Sequence, residues 1–294
     1  MKIRMISDVL KEQYGEKIYR LALSSGCTCP NRDGTLGTGG CAFCSEGGSG
    51  EFCPETAPVA EQIEKAKKLV QAKTKGSRYI AYFQSYTNTY GDLKSLRALY
   101  TETIEREDIV ILSVGTRPDC LPDEMIAMLA ELNRRKPVWV ELGLQTAHDE
   151  TAKRINRCYL RETFEDAYHR LKAAGLTVIV HLIFGLPGES EEDMLESVRY
   201  LAGLTPTADG VKLHLLQILR GTKIAEDYER NPWPVMSLSE YAELIVKAIR
   251  LLPPETVIHR LSGDGPKKLL IEPQWCADKK KVLNTLRRVI SEAN

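Results

Sequence analysis

The sequence predicts an α/β protein: a partial (βα)6, TIM-like barrel followed by a small α/β extension at the C-terminus. Short runs rich in β-branched residues alternate with longer amphipathic stretches over the first 230 residues. Runs such as VILSV and VIVHLIF are apolar on both faces, as expected for strands that helices cover. No G-x-G-x-x-G turn follows the first run, so the competing doubly wound sheet lacks its usual phosphate-binding loop.

The individual elements follow from these periodicities in chain order. The predicted strands cover residues 18–23, 79–83, 109–114, 138–142, 178–183 and 210–216. The predicted helices between them cover residues 59–73, 93–104, 123–134, 161–174 and 191–204. Ser190 suits the N-cap of the last helix, and Gly175 suits the C-terminal end of the helix before it. Because helices alternate with strands, we expect parallel pairing and chemistry on the loops that follow the strands.

The pattern changes after Arg230. The run N-P-W-P-V breaks the chain, and beyond it a helix is predicted over residues 238–251, a strand over 256–261 and a basic helix over 278–292. We therefore expect a barrel unit over residues 1–230 and an extension over residues 231–294 that packs on the barrel or caps it.

Composition excludes several functional classes. The chain has 294 residues, with 40 Lys and Arg against 40 Asp and Glu, so contact with nucleic acid must come from a local patch. The longest apolar runs are far shorter than the roughly 20 residues of a membrane span, so no membrane partner is expected. The N-terminal segment has scattered charges and no apolar core typical of a secretory signal, which predicts a cytoplasmic protein.

Clustered cysteines favour metal binding over a disulfide scaffold, because five of the eight fall within 27 residues. They are Cys27, Cys29, Cys41, Cys44 and Cys53. The C-A-F-C step lets Cys41 and Cys44 reach one metal or neighbouring irons, and Cys29 can supply a third ligand. Glycines in the loop permit turns around a bulky inorganic core. The residues alone leave three interpretations: an iron–sulfur cluster, a zinc site completed by Cys27 or Cys53, and a redox dithiol.

The loop C-P-N-R-D-G-T-x-G-x-G-G-C-x-F-C resembles that of the YhcC/YtqA group of radical S-adenosylmethionine (SAM) proteins, which is similar to the radical SAM domain of the Elongator catalytic subunit. The resemblance covers nearly the whole chain. It implies a [4Fe–4S] cluster held by Cys29, Cys41 and Cys44, with one iron left open for SAM. Eleven residues separate the first two ligands, which departs from the common C-x-x-x-C-x-x-C spacing and is normal for this group. Cys27 is then an additional thiol, and Phe43 shields the cluster from water.

The resemblance also implies SAM contacts after later strands. Gln84 stands where many relatives have a G-G-E motif that contacts the SAM amino group. Gln145 would bind the SAM ribose, and Arg157, twelve residues on, would bind the SAM carboxylate. His181 stands where coproporphyrinogen-type enzymes have a ribose-binding Asp, and the G-L-P-G-E turn after it resembles one that contacts adenine.

Each polar residue also has a structural interpretation when it is taken singly. Glu141 is alternatively a paired core carboxylate, and His181 and His214 are alternatively core histidines with satisfied hydrogen bonds. Arg157 is alternatively a surface cation. The sequence assigns no residue to hydrogen abstraction, so the catalytic residues are unknown at this point.

By this resemblance, a reduced cluster passes one electron to SAM and yields a 5′-deoxyadenosyl radical that abstracts hydrogen from a substrate. The implied substrate is tRNA, at the C5 substituent of the wobble uridine, and the electron donor is a protein such as flavodoxin or ferredoxin. Two basic sets give modest support for tRNA. They are Lys65, Lys67, Lys68, Lys73, Lys75 and Arg78, and Lys279, Lys280, Lys281, Arg287 and Arg288. The alternatives are a small-metabolite or peptide substrate, and a zinc-stabilised binding protein without catalysis.

Overall fold

The computed structural model describes residues 3–48, 57–72, 76–263 and 265–293, in which a parallel sheet curls into a partial barrel. The strands are β1 Tyr19–Leu23, β2 Tyr79–Phe83, β3 Ile109–Thr116, β4 Val138–Gln145, β5 Thr177–Phe184, β6 Gly210–Leu215, β7 Ile218–Leu219, β8 Val257–Arg260 and β9 Leu270–Glu272. The helices are α1 Ile6–Tyr14, α2 Val59–Gln71, α3 Leu93–Glu105, α4 Asp123–Asn133, α5 Asp149–Arg154, α6 Arg161–Ala173, α7 Glu191–Ala202, α8 Lys223–Arg230, α9 Leu238–Leu251 and α10 Lys279–Glu292.

Within the described residues, the barrel sheet has seven strands in the order β1-β2-β3-β4-β5-β6-β8, and every neighbouring pair is parallel. The six predicted strands and their parallel pairing are confirmed. The strand predicted after Arg230 is β8, and it joins the sheet beside β6 with Lys212 opposite Arg260. The C-terminal part of the chain therefore supplies the last strand of the barrel. Strands β7 and β9 pair with each other in an antiparallel ribbon.

The predicted helices are present, and both predicted caps have the expected geometry. Ser190 forms a capping box with Asp193 at the start of α7, and Gly175 adopts a φ of 74° after α6. Three further helices were not predicted: α5 and α8 are short, and α1 begins after Met5, whose side chain cannot cap it. In the ranges that the structure describes, no helix has the length and apolar character needed to cross a membrane.

An apolar layer closes the N-terminal end of the barrel. Its inward-facing side chains are Ile18, Ile80, Ile111, Trp139 and Ile179. Helix α1 packs on this layer through Ile6 and Leu10, both of which are buried. Removing these apolar surfaces from water stabilises the contact, so α1 forms a floor beneath the lumen.

The two edge strands of the sheet approach each other near this floor. Met5, just before α1, forms a bridge to Ile258 of β8. Arg20 of β1 donates a hydrogen bond to Nδ1 of His259 at 3.0 Å. These contacts leave the C-terminal ends of the strands as the wide opening of the barrel.

Candidate functional site

The C-terminal ends of the strands open into a cavity of about 280 Å³ that collects most of the predicted site residues. Those that line it are Cys29, Cys41, Phe43, Cys44, Gln84, Gln145 and His181. They come from the loop after β1 and from β2, β4 and β5, and they meet because parallel strands present their carboxyl ends at one edge of a sheet. Arg157 is the predicted site residue that does not line this cavity.

A reciprocal pair of asparagines holds the cysteine loop. Asn31 is fully buried and donates to the backbone carbonyl of Asn156 at 2.6 Å. Asn156 donates in turn to the carbonyl of Gly40 at 2.8 Å, and the N–H of Gly40 donates to the carbonyl of Asn31 at 2.7 Å. Asn156 has a φ of 52°, a left-handed conformation in which asparagine is several-fold enriched. The clamp fixes the backbone immediately before Cys41.

Backbone hydrogen bonds to two other segments of the chain hold the C-A-F-C step in place. The N–H of Ala42 donates to the carbonyl of Ile155 at 2.8 Å, and the carbonyl of Ala42 accepts from the N–H of Ile224 at 2.9 Å. Arg32 of the same loop donates to the carbonyl of Cys44 at 2.8 Å. A rigid turn therefore carries Cys41 and Cys44.

The sulfurs of Cys29, Cys41 and Cys44 are not all gathered within the short distances of a single zinc site. Around tetrahedral zinc, with Zn–S bonds of about 2.3 Å, sulfurs lie about 3.8 Å apart. Across the described residues, the only three candidate ligand atoms within 4.8 Å of one another belong to His148, Asp193 and Glu196. The cysteine sulfurs are therefore spread more widely than a zinc site requires. Cys27 does not line the cavity, and Cys53 lies outside the described residues.

The thiols in this cavity disfavour one another's ionisation. Burial and the neighbouring Cys44 raise the pKa of the Cys41 thiol to about 12, although Arg117 acts in the opposite direction. A thiolate becomes favourable in such a place when a metal joins the group. The donor set of three thiols in one cavity therefore fits an iron–sulfur cluster.

Gln145 faces the cavity in a strained conformation. Its φ is 61°, which costs free energy for a residue with a Cβ atom. The hydroxyl of Tyr159 lies 2.9 Å from Oε1 of Gln145 and 3.0 Å from the carbonyl of Gly143. A Cβ atom on Gly143 would come within 2.4 Å of the Gln145 amide nitrogen, so a larger residue here would displace the Gln145 side chain. The end of β4 is thus shaped to direct Gln145 into the cavity.

Arg157 lies next to the cavity residues Gln145 and Tyr159 but does not itself line the cavity. Its side chain is fully buried, so it is not a surface cation either. The guanidinium donates to the carbonyl oxygens of Leu144 and Thr146. It also donates to the carbonyl of Tyr159 at 3.0 Å and pairs with Asp149 at 3.5 Å. Arg157 therefore supports the bulged end of β4, and binding a carboxylate would require it to exchange these partners.

Another arginine, Arg117, lines the cavity directly after β3. It makes two hydrogen bonds to Asp119, at 2.9 and 2.7 Å, and lies 4.9 Å from the ring centroid of Tyr159. Burial acts to lower the pKa of Arg117, but Asp119 outweighs that effect and raises it. A stable cation therefore faces the same space as the cysteines.

Below this mouth, a buried ionic network crosses the lumen. Glu141 of β4 accepts hydrogen bonds from Lys212 of β6, from His181 at 2.8 Å and from Ser113 at 2.9 Å. The side chains of Glu141 and Lys212 are 0% and 2% exposed. Lys212 also donates to the hydroxyl of Tyr82 at 3.2 Å. Glu141 is thus paired, and because it engages Nε2 of His181, Nδ1 is the nitrogen left to contact a ligand.

Burial shifts the pKa of each member of this network. It lowers the pKa of His181 to about 4, with Lys212 adding to the effect, so the imidazole is neutral at pH 7. Burial also opposes ionisation of Glu141, but Lys212 and His181 outweigh it and hold the pKa of Glu141 well below its usual range. For Lys212, burial and the nearby Arg20 and Arg260 lower the pKa to about 7 despite the attraction of Glu141.

Sequence reasoning missed several cavity residues. Lys212 carries a signal, because it is a charged residue inside the apolar strand GVKLHL, and Arg260 likewise ends a strand. His214 is not the satisfied core histidine of the alternative interpretation. Its Nε2 is buried and lacks a hydrogen-bond partner among the described residues, and its side chain lines the cavity.

The parallel barrel and the three cysteines at its mouth agree with a comparison of the chain with known families. The chain belongs to the radical SAM superfamily: the family model of that description matches residues 27–201, and the radical SAM C-terminal domain matches residues 208–292. Members of this superfamily use a [4Fe–4S] cluster and SAM, and they typically need an electron donor.

Individual relatives match over almost the whole chain. YtqA of Bacillus subtilis (strain 168) is 40% identical over 280 residues, which are 95% of this chain and 86% of the relative. YhcC of Escherichia coli (strain K12) is 38% identical over 296 residues, which are 99% of this chain and 93% of the relative. The solved structure of archaeal Methanocaldococcus infernus Elp3 with an N-terminal deletion has the same fold, with a TM-score of 0.65 at 20% identity over 79% of this chain and 61% of that one. The resemblance to the YhcC/YtqA group is confirmed.

Proposed function

We propose that Cys29, Cys41 and Cys44 bind a [4Fe–4S] cluster, and that the enzyme modifies tRNA at the C5 substituent of the wobble uridine. The observation that supports the cluster site is that these three thiols, carried by one loop, face one cavity at the mouth of the barrel. When bound, the cluster and SAM supply the radical chemistry of the superfamily, and the chain supplies binding, orientation and exclusion of water.

The polar side chains of the mouth suit the parts of SAM. Gln84 and Gln145 line the cavity at the ends of β2 and β4, where amide groups can bind the amino group and the ribose hydroxyls. We assign the carboxylate to Arg117, because it faces the cavity and uses only two of its five donors on Asp119, whereas Arg157 does not line the cavity and is engaged by backbone carbonyls. Phe43 lines the same wall and packs on an apolar cluster, which keeps water away from the reacting atoms.

Similarity to the Elongator proteins and an exposed basic helix support tRNA as the substrate. Lys279, Lys280, Lys281, Arg287 and Arg288 of α10 are all exposed, so they are accessible to phosphates. Tyr86 lines the mouth of the cavity, where its ring can stack on an extruded base.

The other basic set is a weaker candidate for phosphate contacts. Lys67 already pairs with Asp108, and Arg78 with Glu16. Lys65 and Lys68 are exposed, whereas Lys73 and Lys75 lie outside the described residues. We therefore place the main tRNA contact on α10, in a cytoplasmic enzyme that is reduced by a flavodoxin or ferredoxin.

Anaerobic reconstitution tests the cluster site. We expect wild type to bind iron and sulfide and to form 5′-deoxyadenosine from SAM, and Cys41→Ser to lose both properties. Cys27→Ser is the matched control, because Cys27 is a half-buried thiol of the same loop that does not line the cavity. Equal loss in both variants, or full activity in Cys41→Ser, would contradict the assignment.

Nucleoside analysis tests the substrate. Bulk tRNA from a strain that lacks the gene should contain an altered wobble nucleoside, and the gene in trans should restore it. Charge removal on α10, as Lys280→Gln with Arg287→Gln, should weaken tRNA binding and reduce its salt dependence without changing SAM cleavage. Unchanged nucleosides together with intact SAM cleavage would instead favour a small metabolite or peptide as the substrate.

A further inference from the structure

The lumen of the barrel carries surplus positive charge. Among the described residues that line the cavity, the cations are Arg32, Arg117, Lys212 and Arg260, and the one carboxylate is Glu141. Arg117 is balanced by Asp119 and Lys212 by Glu141. The positive charge of Arg260 is balanced by no ion pair within the part of the chain that the structure describes. A low-dielectric cavity with unbalanced cations attracts an anion.

Two polar groups in this region have no partner among the described residues, and one of them, Nε2 of His214, is fully buried. The structure shows no hydrogen bond or ion pair for the half-buried guanidinium of Arg260 to any described residue. Nε2 of His214 is buried and is likewise without a partner among the described residues. Buried donors and acceptors in folded proteins nearly always have a partner, so the buried Nε2 of His214 favours a ligand beside it, whereas the half-buried guanidinium of Arg260 still reaches solvent and is available to the same ligand.

The side chains of Lys212, His214 and Arg260 lie on neighbouring strands and can contact the same ligand group. Lys212 is paired in register with Arg260, and His214 follows two residues after Lys212 on the same strand and the same face. Lys212 uses two of its three donors on Glu141 and Tyr82. Arg260 offers a planar fork, and a neutral His214 offers one N–H, so together they present a converging set of donors.

We propose that Lys212, His214 and Arg260 form an anion-binding subsite, the lumen anchor, which receives a carboxylate or phosphate group of the substrate. This inference rests on the proposed function, because it takes the lumen as the substrate chamber. Lys212 stands three residues before the end of β6, so its Cα lies about 10 Å below that strand end, while His214 lies nearer the opening and Arg260 is the last residue of β8. The substrate carbon that reacts would then lie between the anchor and the cysteine loop.

The depth of Lys212 supports a substrate group rather than SAM itself. Arg117 lines the mouth near the cysteines and uses two of its five donors on Asp119, which leaves donors for the SAM carboxylate, whereas Lys212 lies deeper in the lumen. Burial, Arg20 and Arg260 hold the pKa of Lys212 at about 7, and a bound anion would favour its protonated form. Binding should therefore strengthen from pH 9 to pH 6 while Glu141 remains ionised and His181 and His214 remain neutral.

Thermal unfolding of the reconstituted protein with SAM tests the anchor. The probes are malonate and inorganic phosphate, with malonamide as the uncharged control, all at constant ionic strength. We expect saturable stabilisation by one or both anions and none by malonamide. Arg260→Gln should weaken the apparent affinity by at least about tenfold, because a charge-assisted bond is lost, and Arg260→Lys should largely retain it. The matched control is Arg134→Gln, an exposed arginine on the far side of the sheet, which should bind as wild type does.

The outcomes separate this inference from the proposed function. Equal affinities in wild type and Arg260→Gln, or an absence of saturable binding in wild type, would overturn the anchor. Should Arg260→Gln not fold, His214→Phe provides the same test. Loss of SAM cleavage without substrate in Arg260→Gln would show that Arg260 serves SAM, which also overturns the anchor. If tRNA nucleosides are unchanged in the deletion strain but malonate binding depends on Arg260, the anchor stands and tRNA does not.

Discussion

Replacing Glu141 with glutamine should destabilise the protein strongly at mildly acidic pH. The side chains of Glu141 and Lys212 are 0% and 2% exposed, so the substitution leaves an ammonium group buried with Arg20 and Arg260 nearby. Breaking a buried ion pair by removing one partner costs about 3–5 kcal/mol. For a chain of this length, that loss corresponds to a fall in Tm of roughly 6–10 °C.

The size of this effect should depend on pH, and the sign follows from Lys212. Its pKa is about 7 in the folded protein, whereas an unfolded lysine titrates near about 10.4. The unfolded chain therefore binds more protons between these values, and stability from this residue rises with pH across that window. Without Glu141, the pKa of Lys212 in the folded protein falls further. A neutral Lys212 therefore reduces the loss of stability in the variant at pH 8.5, whereas keeping Lys212 neutral at pH 6 costs free energy.

Urea unfolding of reduced, cluster-free protein measures the loss without coupling it to metal release. Glu131→Gln is the matched control, because Glu131 pairs with Arg97 at the surface with exposed fractions of 52% and 42%, and we expect a change within about 0.5 kcal/mol. The double variant Glu141→Gln with Lys212→Met should recover much of the stability. A loss below about 1 kcal/mol, or the same loss at pH 6 and pH 8.5, would refute this account of the network.

Asn31→Ala should lower iron binding after reconstitution and cost about 1–3 kcal/mol, because it removes a buried partner of Asn156. An iron assay against Thr35→Val at the loop tip decides this, and unchanged loading would count against the clamp. Gln145→Gly should be more stable than Gln145→Ala by about 1 kcal/mol, because a φ of 61° strains alanine but not glycine. Equal urea midpoints would contradict that strain. Wild type should lose stability as the pH falls from about 6.5 to about 4. Over this range His181 becomes protonated in the unfolded chain but stays neutral in the folded protein. His181→Gln should show a shallower dependence, and identical pH profiles would show that another group is responsible.

The interiors of the strands were predictable from sequence, but their functional ends were not. Strand β3 continues through Gly115 and Thr116, and β4 continues to Gln145, beyond the predicted bounds. Apolar periodicity reports which side chains pack, so it fades where small or polar residues face a cavity instead. The small and polar residues at which the predicted strands stopped too soon are residues that line the cavity.

The cysteine loop was predictable because its residues are close in sequence, whereas the lumen network was not. Glu141 and Lys212 are separated by 71 residues and meet only because the sheet curls. A motif likewise identified Arg157 but not its partners, which the bulge at the end of β4 determines. A sequence motif therefore identifies a residue, but the tertiary fold determines which of its hydrogen-bonding atoms remain available to a ligand.

Helix α1 covers the N-terminal end of the barrel and closes the chamber at that end. Among the described residues, α1 and the apolar layer block passage at this end, so a ligand would enter and leave through the opening where the cysteine loop lies. A ligand that binds deep in the lumen must then bind first and leave last, and a ligand bound across the opening would hold the deeper one in place. Helix α1, which touches no reacting group, would in this way govern the sequence of binding and release.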